Sequence, residues 1–194
     1  MNRLAALLVL PALTLAACGD ATQEPASAPA TPPPAAETPA ATPSPAPAGA
    51  RAVALDPEGL RLVDRQSGST AALAFGQPAE QVVASVSAAQ GSAPSERGTN
   101  PECDAGALDY ATWSDGLTLW FQTGTFAGWA VNEAGPTLMS GIGVGSSRAD
   151  LEGAHVIQVE ESTLGTEFAS AGFYGILEAG RVSNLWAGVS CNFR

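Results

Sequence analysis

The only histidine in the chain, His155, is the first residue to consider for catalysis. A serine hydrolase would use it as a general base, with a serine and a carboxylate from elsewhere in the chain. The sequence contains no Gly-X-Ser-X-Gly elbow that would present such a serine. His155 is followed by Val156, Ile157 and Val159, which is typical of a strand. We therefore interpret His155 as an ordinary strand residue and predict no catalytic residue.

Carboxylates are densest at Glu160-Glu161 and in the segment 100–104, which reads Asn-Pro-Glu-Cys-Asp. Paired carboxylates can hydrolyse glycosidic bonds, but their separation in space decides this and the sequence does not give it. A calcium loop would need several oxygen ligands in an Asp-x-Asp-x-Asp-Gly pattern, and the sequence has none. We interpret both groups as solvated loops and predict no metal site. A hydrolase that uses His155 or these carboxylates remains an alternative function.

The run Gly-Ile-Gly-Val-Gly at 141–145 resembles part of a nucleotide-binding loop. A dinucleotide fingerprint, G-x-G-x-x-G, would need its third glycine where Ser146 or Arg148 stands, depending on the glycine that begins it. A glycine-rich turn between two halves of a domain explains the run better. We therefore predict that the protein binds no nucleotide and no other cofactor.

The start of the chain is typical of an exported protein. Arg3 precedes a mostly apolar run over residues 4–15, and small residues follow the run, as in a secretory signal peptide. The run is too short for a transmembrane helix, which needs about 20 apolar residues. The tetrad Leu-Ala-Ala-Cys that ends at Cys18 resembles the bacterial lipobox. That resemblance implies a signal peptide over residues 1–17 and acylation of Cys18, which would anchor the protein in a lipid bilayer.

Residues 18–50 are predicted to form the lipidated cysteine and a disordered tether. They are rich in proline and alanine and contain no aromatic residue, so they cannot bury enough apolar surface to fold. Gly19 follows the cysteine, where an aspartate would resemble the inner-membrane retention signal of enteric bacteria. We therefore expect a protein of the cell envelope, with its domain in the periplasm and its anchor in the outer rather than the inner membrane.

Residues 51–194 are predicted to form a single globular domain, because they contain all the aromatic residues of the chain. The chain has 19 acidic and 8 basic residues and a net charge of −11. Nucleic-acid binding would need a basic face, so the composition excludes that class of partner. Cys103 and Cys191 are the cysteines that remain after Cys18, and in an exported protein we expect them to form a disulfide.

The domain reads as two similar halves. The first half predicts a helix over 79–89, a polar loop over 90–106, and strands over 107–113, 116–122 and 126–131. The second half predicts a short helix near 146–151 and strands over 155–159, 172–178 and 182–190. Two more strands are expected at 60–63 and 71–75. The predicted fold class is α+β, with two similar tandem halves, each a short helical segment plus antiparallel strands, forming an antiparallel sheet.

This arrangement resembles the fold shared by small outer-membrane-assembly lipoproteins of the SmpA/OmlA (BamE) type and by the β-lactamase inhibitory protein. The resemblance covers roughly residues 73–194 and rests on a glycine before a helix, on Tyr-Ala-Thr-Trp at 110–113, and on the hairpin that follows. Both relatives bind other proteins. The resemblance therefore implies protein binding or scaffolding in outer-membrane assembly or maintenance, with an envelope protein as the partner. A module that binds small ligands or peptidoglycan is a further alternative.

Tryptophans are the candidate binding residues of the domain. Trp120 alternates with Leu119 and Phe121, so its side chain should face the other side of the sheet. Trp129 and Trp186 also stand near strands and align with each other in the two halves. We therefore predict a candidate binding face formed by these three tryptophans. Core packing between the two halves is the alternative role for them.

Overall fold

The computed structural model of the chain describes residues 50–191. The predicted signal peptide, the lipid attachment at Cys18 and the tether up to residue 49 lie outside the described residues. The described residues all belong to one compact unit. No helix among them is long and apolar enough to cross a membrane.

Strands dominate the described residues. Strand residues make up 48% and helix residues 13% of them, so the predicted α+β class is met only loosely. In chain order, the elements are β1 (Arg51–Asp56), β2 (Gly59–Asp64), β3 (Thr70–Ala74), α1 (Ala79–Gln90), β4 (Glu96–Asn100), β5 (Leu108–Thr112), β6 (Leu117–Gln122), β7 (Thr125–Val131), α2 (Arg148–Ala154), β8 (Gln158–Ser162), β9 (Gly165–Ser170), β10 (Phe173–Glu178) and β11 (Arg181–Gly188).

These strands form two antiparallel sheets. The small sheet has the order β1-β2-β3, and the large sheet has the order β4-β5-β6-β7-β11-β10-β9-β8. Each half of the chain after β3 is a helix followed by four strands, each paired with the next. The last strands of the two halves pair at the centre of the large sheet, from Leu185 opposite Val131 to Gly188 opposite Gly128.

Both helices form where the sequence predicts them. In α1, Val82 and Val86 are completely buried one turn apart, which is the spacing of a single helix face. The helix ends at Gly91, whose φ of +74° is a backbone conformation that glycine adopts without strain. In α2, the Ser147 side chain accepts a hydrogen bond from the backbone N–H of Asp150 at 3.1 Å and so caps the first turn.

The two halves repeat each other down to single hydrogen bonds. The Gly76 N–H donates to the Phe126 carbonyl at 2.7 Å, and the Gly145 N–H donates to the Val182 carbonyl at 2.8 Å. In each half this bond ties a glycine three residues before the first residue of the helix to the last strand. Gly76 and Gly145 therefore occupy equivalent positions in the two halves.

The last hairpin turn of each half has the same backbone conformation. Thr123 and Gly124 have φ values of 50° and 77°, and Ala179 and Gly180 have values of 48° and 75°. Positive φ at both central residues is typical of the type I′ turn, whose twist matches that of the strands it joins. Both halves therefore keep this turn even though it places a residue other than glycine at positive φ.

The hydrophobic core lies on one side of the large sheet, here called the inner face. Side chains of α1, α2 and the small sheet, such as Val82, Leu151 and Leu60, form one cluster with alternate residues of the large sheet. The Trp129 Nε1 donates to the carbonyl of Asp56 at 2.8 Å and so joins β7 to the end of β1. The helices and the small sheet therefore cover the inner face and leave the opposite side, here called the outer face.

Three strands, β1, β4 and β9, are missing from the sequence prediction. β4 lies inside the segment 90–106 that the sequence predicts as a polar loop. It reads Glu-Arg-Gly-Thr-Asn and forms one edge of the large sheet, with no fully buried residue. An edge strand of this kind has no apolar alternation for a sequence pattern to detect.

His155 does not lie in a strand, contrary to the prediction. It is the C-cap residue of α2, and its N–H donates to the carbonyl of Leu151 at 2.9 Å. β8 begins only at Gln158. The reason is that α2 extends to Ala154, so the chain needs three further residues to leave the helix and reach the sheet.

Candidate functional site

Two rows of residues on the outer face of the large sheet contain its aromatic side chains, and both follow from the pairing of the strands. The first row crosses all eight strands through Glu96, Thr112, Thr118, Ala130, Trp186, Tyr174, Ala169 and Gln158. The second row runs from β4 to β11 through Gly98, Tyr110, Trp120, Gly128 and Gly188.

Two aromatic pairs stand in these rows, one in each half of the sheet. The rings of Tyr110 and Trp120 are 5.7 Å apart, and those of Tyr174 and Trp186 are stacked at 6.1 Å. Each pair consists of residues directly opposite each other on neighbouring strands. Tyr174 is 40% exposed, whereas Trp186 beneath it is 5% exposed. Aromatic pairs that are partly open to solvent are typical anchors of protein interfaces.

Neither of these two rows of described residues contains a basic side chain. The arginines of the large-sheet strands have partners outside these rows. Arg97 of β4 forms an ion pair with Glu80 of α1, and Arg181 of β11 donates to the Gly145 carbonyl at 2.8 Å. Glu96 adds a negative charge at one end of the first row. The outer face is therefore neutral to acidic, which favours a neutral or cationic partner.

The segment Val189–Cys191, here called the strap, leaves β11 and lies against the outer face. Gly188, with a φ of +69°, turns the chain at the end of the strand. Gly128 lies so close beneath that a Cβ added to it would be 1.9 Å from the Val189 carbonyl oxygen. Cys191 then forms the expected disulfide with Cys103 in the loop between β4 and β5. The disulfide thus fixes the strap to the opposite half of the domain.

A groove of about 230 Å³ opens on the outer face beside the strap and is lined by residues that include Trp120, Trp186 and Cys191. The Trp120 Nε1 is buried and has no hydrogen-bond partner within the part of the chain that the structure describes. An unpaired buried N–H costs about 1–3 kcal/mol of folding free energy. This unpaired N–H is therefore a local cost in a ring that packs against Tyr110.

Replacing Trp120 with phenylalanine should be at least about 1 kcal/mol less destabilising than the same change at Trp113. Trp120→Phe removes an N–H that has no partner, whereas Trp113→Phe removes one that donates to the Ser92 carbonyl at 3.2 Å. Urea unfolding of the two variants beside the wild type measures the difference. Equal losses in both variants would show that the Trp120 N–H is satisfied in solution.

Tyr110 forms a hydrogen bond at the acidic end of the outer face. Its hydroxyl donates to the Glu96 Oε1 at 2.6 Å. This hydrogen bond is the largest cause that raises the pKa of Tyr110 above its ordinary value. Burial of the phenol and the negative charge of Glu96 raise that pKa as well. The bond needs the protonated phenol, so it is present below the ordinary tyrosine pKa of about 10 and is lost as the pH rises through the raised value.

Replacing Glu96 with glutamine should lower the pKa of Tyr110 towards its ordinary value. Glutamine removes the negative charge that opposes ionisation and leaves an amide of the same size. The chain has two tyrosines, so an ultraviolet titration near 295 nm can follow both phenols. If the titration of Glu96→Gln superimposes on that of the wild type, the Tyr110–Glu96 hydrogen bond does not persist in solution.

Trp129 lies on the inner face and is completely buried, so it does not belong to an exposed binding face. The equivalent hydrogen bonds of Phe126 and Val182 place Trp129 at the position of Leu185, not of Trp186. The predicted alignment of the two tryptophans is therefore one residue out of register. Of the three predicted tryptophans, only Trp120 and Trp186 stand on the outer face.

His155 contacts a serine that the sequence does not single out. The Ser140 Oγ and the His155 Nε2 are 2.8 Å apart, and the His155 ring meets the Phe173 ring edge-on at 5.0 Å. Ser140 and His155 both line an apolar cavity of about 270 Å³. Among residues 50–191, no hydrogen bond joins His155 to a carboxylate of the kind that completes a Ser-His-Asp triad.

The two predicted carboxylate groups lie in different settings. Glu160 and Glu161 are exposed, but they lie on β8 rather than in a loop. Asn100 ends β4, and the residues after it form the loop that holds Cys103. Residues 50–191 contain no group of three or more His, Cys, Asp or Glu side chains that could hold a metal ion.

The chain matches no protein-family model, no curated protein and no solved structure.

Proposed function

We propose that the domain binds another protein of the cell envelope through its outer face. The observation that carries the proposal is the placement of two tyrosine–tryptophan pairs on the side of the sheet that the helices leave uncovered. Tryptophan and tyrosine are enriched among the residues that dominate binding energy at protein interfaces. A rigid sheet holds such side chains in place before binding, which lowers the entropic cost of association.

The proposed location follows from the sequence. Acylation of Cys18 would hold the protein in a bilayer, and the segment up to residue 50 would let the domain reach a partner in the periplasm. The outer membrane is the proposed site of the anchor. The proposed process rests on the sequence resemblance to the SmpA/OmlA (BamE) type and to the β-lactamase inhibitory protein. Assembly or maintenance of the outer membrane is the proposed process.

A pair of arginine variants tests the proposal with a matched control. Thr118 is half-buried at the middle of the outer face, and Ala88 is exposed on α1 on the other side of the domain. Thr118→Arg places a bulky cation between the aromatic pairs, and Ala88→Arg places the same group away from them. The full chain carrying either change is tagged, cross-linked in intact cells and purified with its partners.

Thr118→Arg should reduce the recovery of a specific envelope protein by about tenfold or more, because a weakening of binding by about 1.4 kcal/mol already raises the Kd tenfold. Ala88→Arg should recover it as the wild type does. Tyr110→Ala provides a second test on the same face without adding charge. Equal recovery with Thr118→Arg and with Ala88→Arg would overturn the proposal.

An envelope hydrolase is the second candidate function, and the Ser140–His155 contact favours it. In that case Ser140 would be the nucleophile, His155 the general base, and the apolar cavity the acyl site. Hydrolysis of p-nitrophenyl butyrate by the wild type, and its loss in Ser140→Ala, would support this function. Wild-type hydrolysis at the rate of the buffer alone would exclude it for such esters. Binding of small ligands or peptidoglycan would instead use the groove beside the strap.

A further inference from the structure

β8 is an exposed edge of the large sheet. It pairs with β9 alone, and all five of its residues are exposed. Val159 keeps 38% of its surface exposed, and Val156 just before the strand keeps 92%. An edge strand presents unpaired backbone N–H and C=O groups, which can pair with another extended chain.

The register shows which backbone groups of β8 point outwards. Ser162 and Gly165 flank a two-residue turn and lie opposite each other. Two residues that flank a two-residue turn exchange two backbone hydrogen bonds, one in each direction. Along an antiparallel ladder, hydrogen-bonded pairs of this kind alternate with pairs that share no hydrogen bond. Glu160 is therefore bonded to β9, whereas the N–H and C=O groups of Val159 and Glu161 face away from the sheet. β8 thus offers donors and acceptors at two alternate residues.

A cavity of about 510 Å³ lies beside this edge and is lined by residues of β8, β9 and β10. Glu160 and Glu167 stand opposite each other in it, and Tyr174 forms part of its wall. Glu167 is 5% exposed and accepts a hydrogen bond from the Ser162 hydroxyl. A cavity with two carboxylates and an aromatic ring favours a lysine or arginine side chain, through ionic and cation–π contacts.

The charges of β8 also disfavour pairing with a second copy of the same strand. Glu160 and Glu161 are adjacent and point to opposite sides of the sheet. Pairing two β8 strands in the antiparallel direction would bring these carboxylates close on both sides, and like charges opposite each other are destabilising. An extended segment with basic residues at alternate positions has the complementary charge.

We propose that β8 is a strand-addition site for an extended basic segment of a partner protein, with one lysine or arginine of that segment in the cavity at Glu160 and Glu167. Main-chain hydrogen bonds to Val159 and Glu161 supply affinity, and the cavity supplies specificity. This site lies at the sheet edge, apart from the aromatic pair of β5 and β6. Its cavity shares Tyr174 with the outer face, so Tyr110→Ala, on the other aromatic pair, separates this site from binding at the middle of that face.

The test uses a synthetic peptide of alternating lysine and valine, and the full chain with Cys18→Ser so that it stays in solution. Fluorescence anisotropy measures binding of the labelled peptide. A second peptide carries N-methyl groups on alternate residues, which blocks strand pairing without changing the charge. Val159→Pro removes an outward N–H that makes no bond to β9, and Val159→Thr keeps that N–H.

The unmodified peptide should bind the wild type and Val159→Thr at least tenfold more tightly than it binds Val159→Pro. The N-methylated peptide should lose at least tenfold in affinity for the wild type, a result that does not depend on the folding of any variant. Glu160→Gln should weaken binding severalfold, and Tyr110→Ala should leave it unchanged. Equal binding of the two peptides, or no binding of the unmodified one, would overturn the proposal.

Discussion

Replacing both Cys103 and Cys191 with serine should lower the free energy of unfolding by about 4–5 kcal/mol. The disulfide joins residues 88 positions apart, and in the chain-entropy model a loop of this size restricts the unfolded state by about that amount. The native state also loses the link between the strap and the β4–β5 loop. We therefore expect the strap to separate from the outer face more readily in this variant.

Urea unfolding of the full chain with Cys18→Ser measures this effect, with and without the two further substitutions. Hydrogen exchange at Val189, whose N–H donates to the Ala127 carbonyl at 2.9 Å, reports on the strap itself. Exchange there should become faster than at Val86 in the middle of α1. A loss of stability below about 1 kcal/mol would show that the disulfide is not needed to hold the two halves together.

Replacing Trp129 with alanine should lower the free energy of unfolding by about 3–5 kcal/mol. Trp129 is completely buried on the inner face, and its Nε1 donates to the Asp56 carbonyl at 2.8 Å. The change therefore opens a cavity under the small sheet and leaves the carbonyl of the half-buried Asp56 without its partner. Both effects act at the contact between the small and large sheets.

Tyr174→Ala is the control for this prediction, because it removes an aromatic ring from the outer face where the ring is 40% exposed. It should change the free energy of unfolding by about 1 kcal/mol or less. Urea unfolding of the two variants, followed by circular dichroism, provides the comparison. Similar losses at both positions would contradict the assignment of Trp129 to the core and Tyr174 to the surface.

Local signals in the sequence predict much of the fold. The spacing of Val82 and Val86 after Pro78 predicts α1, and Ser147 marks the start of α2. Cys103 and Cys191 predict their disulfide from cysteine number and export alone. These signals are sufficient because each depends on a few neighbouring residues or on a simple count.

The sequence does not predict the side of the sheet on which Trp129 lies. Simple alternation from the buried Phe126 would place Trp129 on the outer face, because the two residues are three positions apart. A register shift beside Phe121, in the pairing of β6 with β7, adds a residue to β7 and returns Trp129 to the inner face. Such a β-bulge has no clear sequence signature here.

The two tyrosines of the candidate site, Tyr110 and Tyr174, are not among the binding residues predicted from the sequence. Tyr174 follows the buried Phe173 in β10, so strand alternation alone would have pointed it towards the outer face. Its partner across the sheet, Trp186, depends on the register between β10 and β11. Pairing between distant strands sets that register, and local sequence patterns do not contain it.

Photo-cross-linking from position 118 is the most direct test of protein binding by the outer face. A photoreactive amino acid replaces Thr118 in the middle of the face or, as the control, Ala88 on α1, in cells that make the full lipidated chain. We predict one adduct of defined mass from position 118, absent from position 88 and lost when Tyr110→Ala is added. Adducts that are the same from both positions, or that form only from position 88, would contradict binding through the outer face.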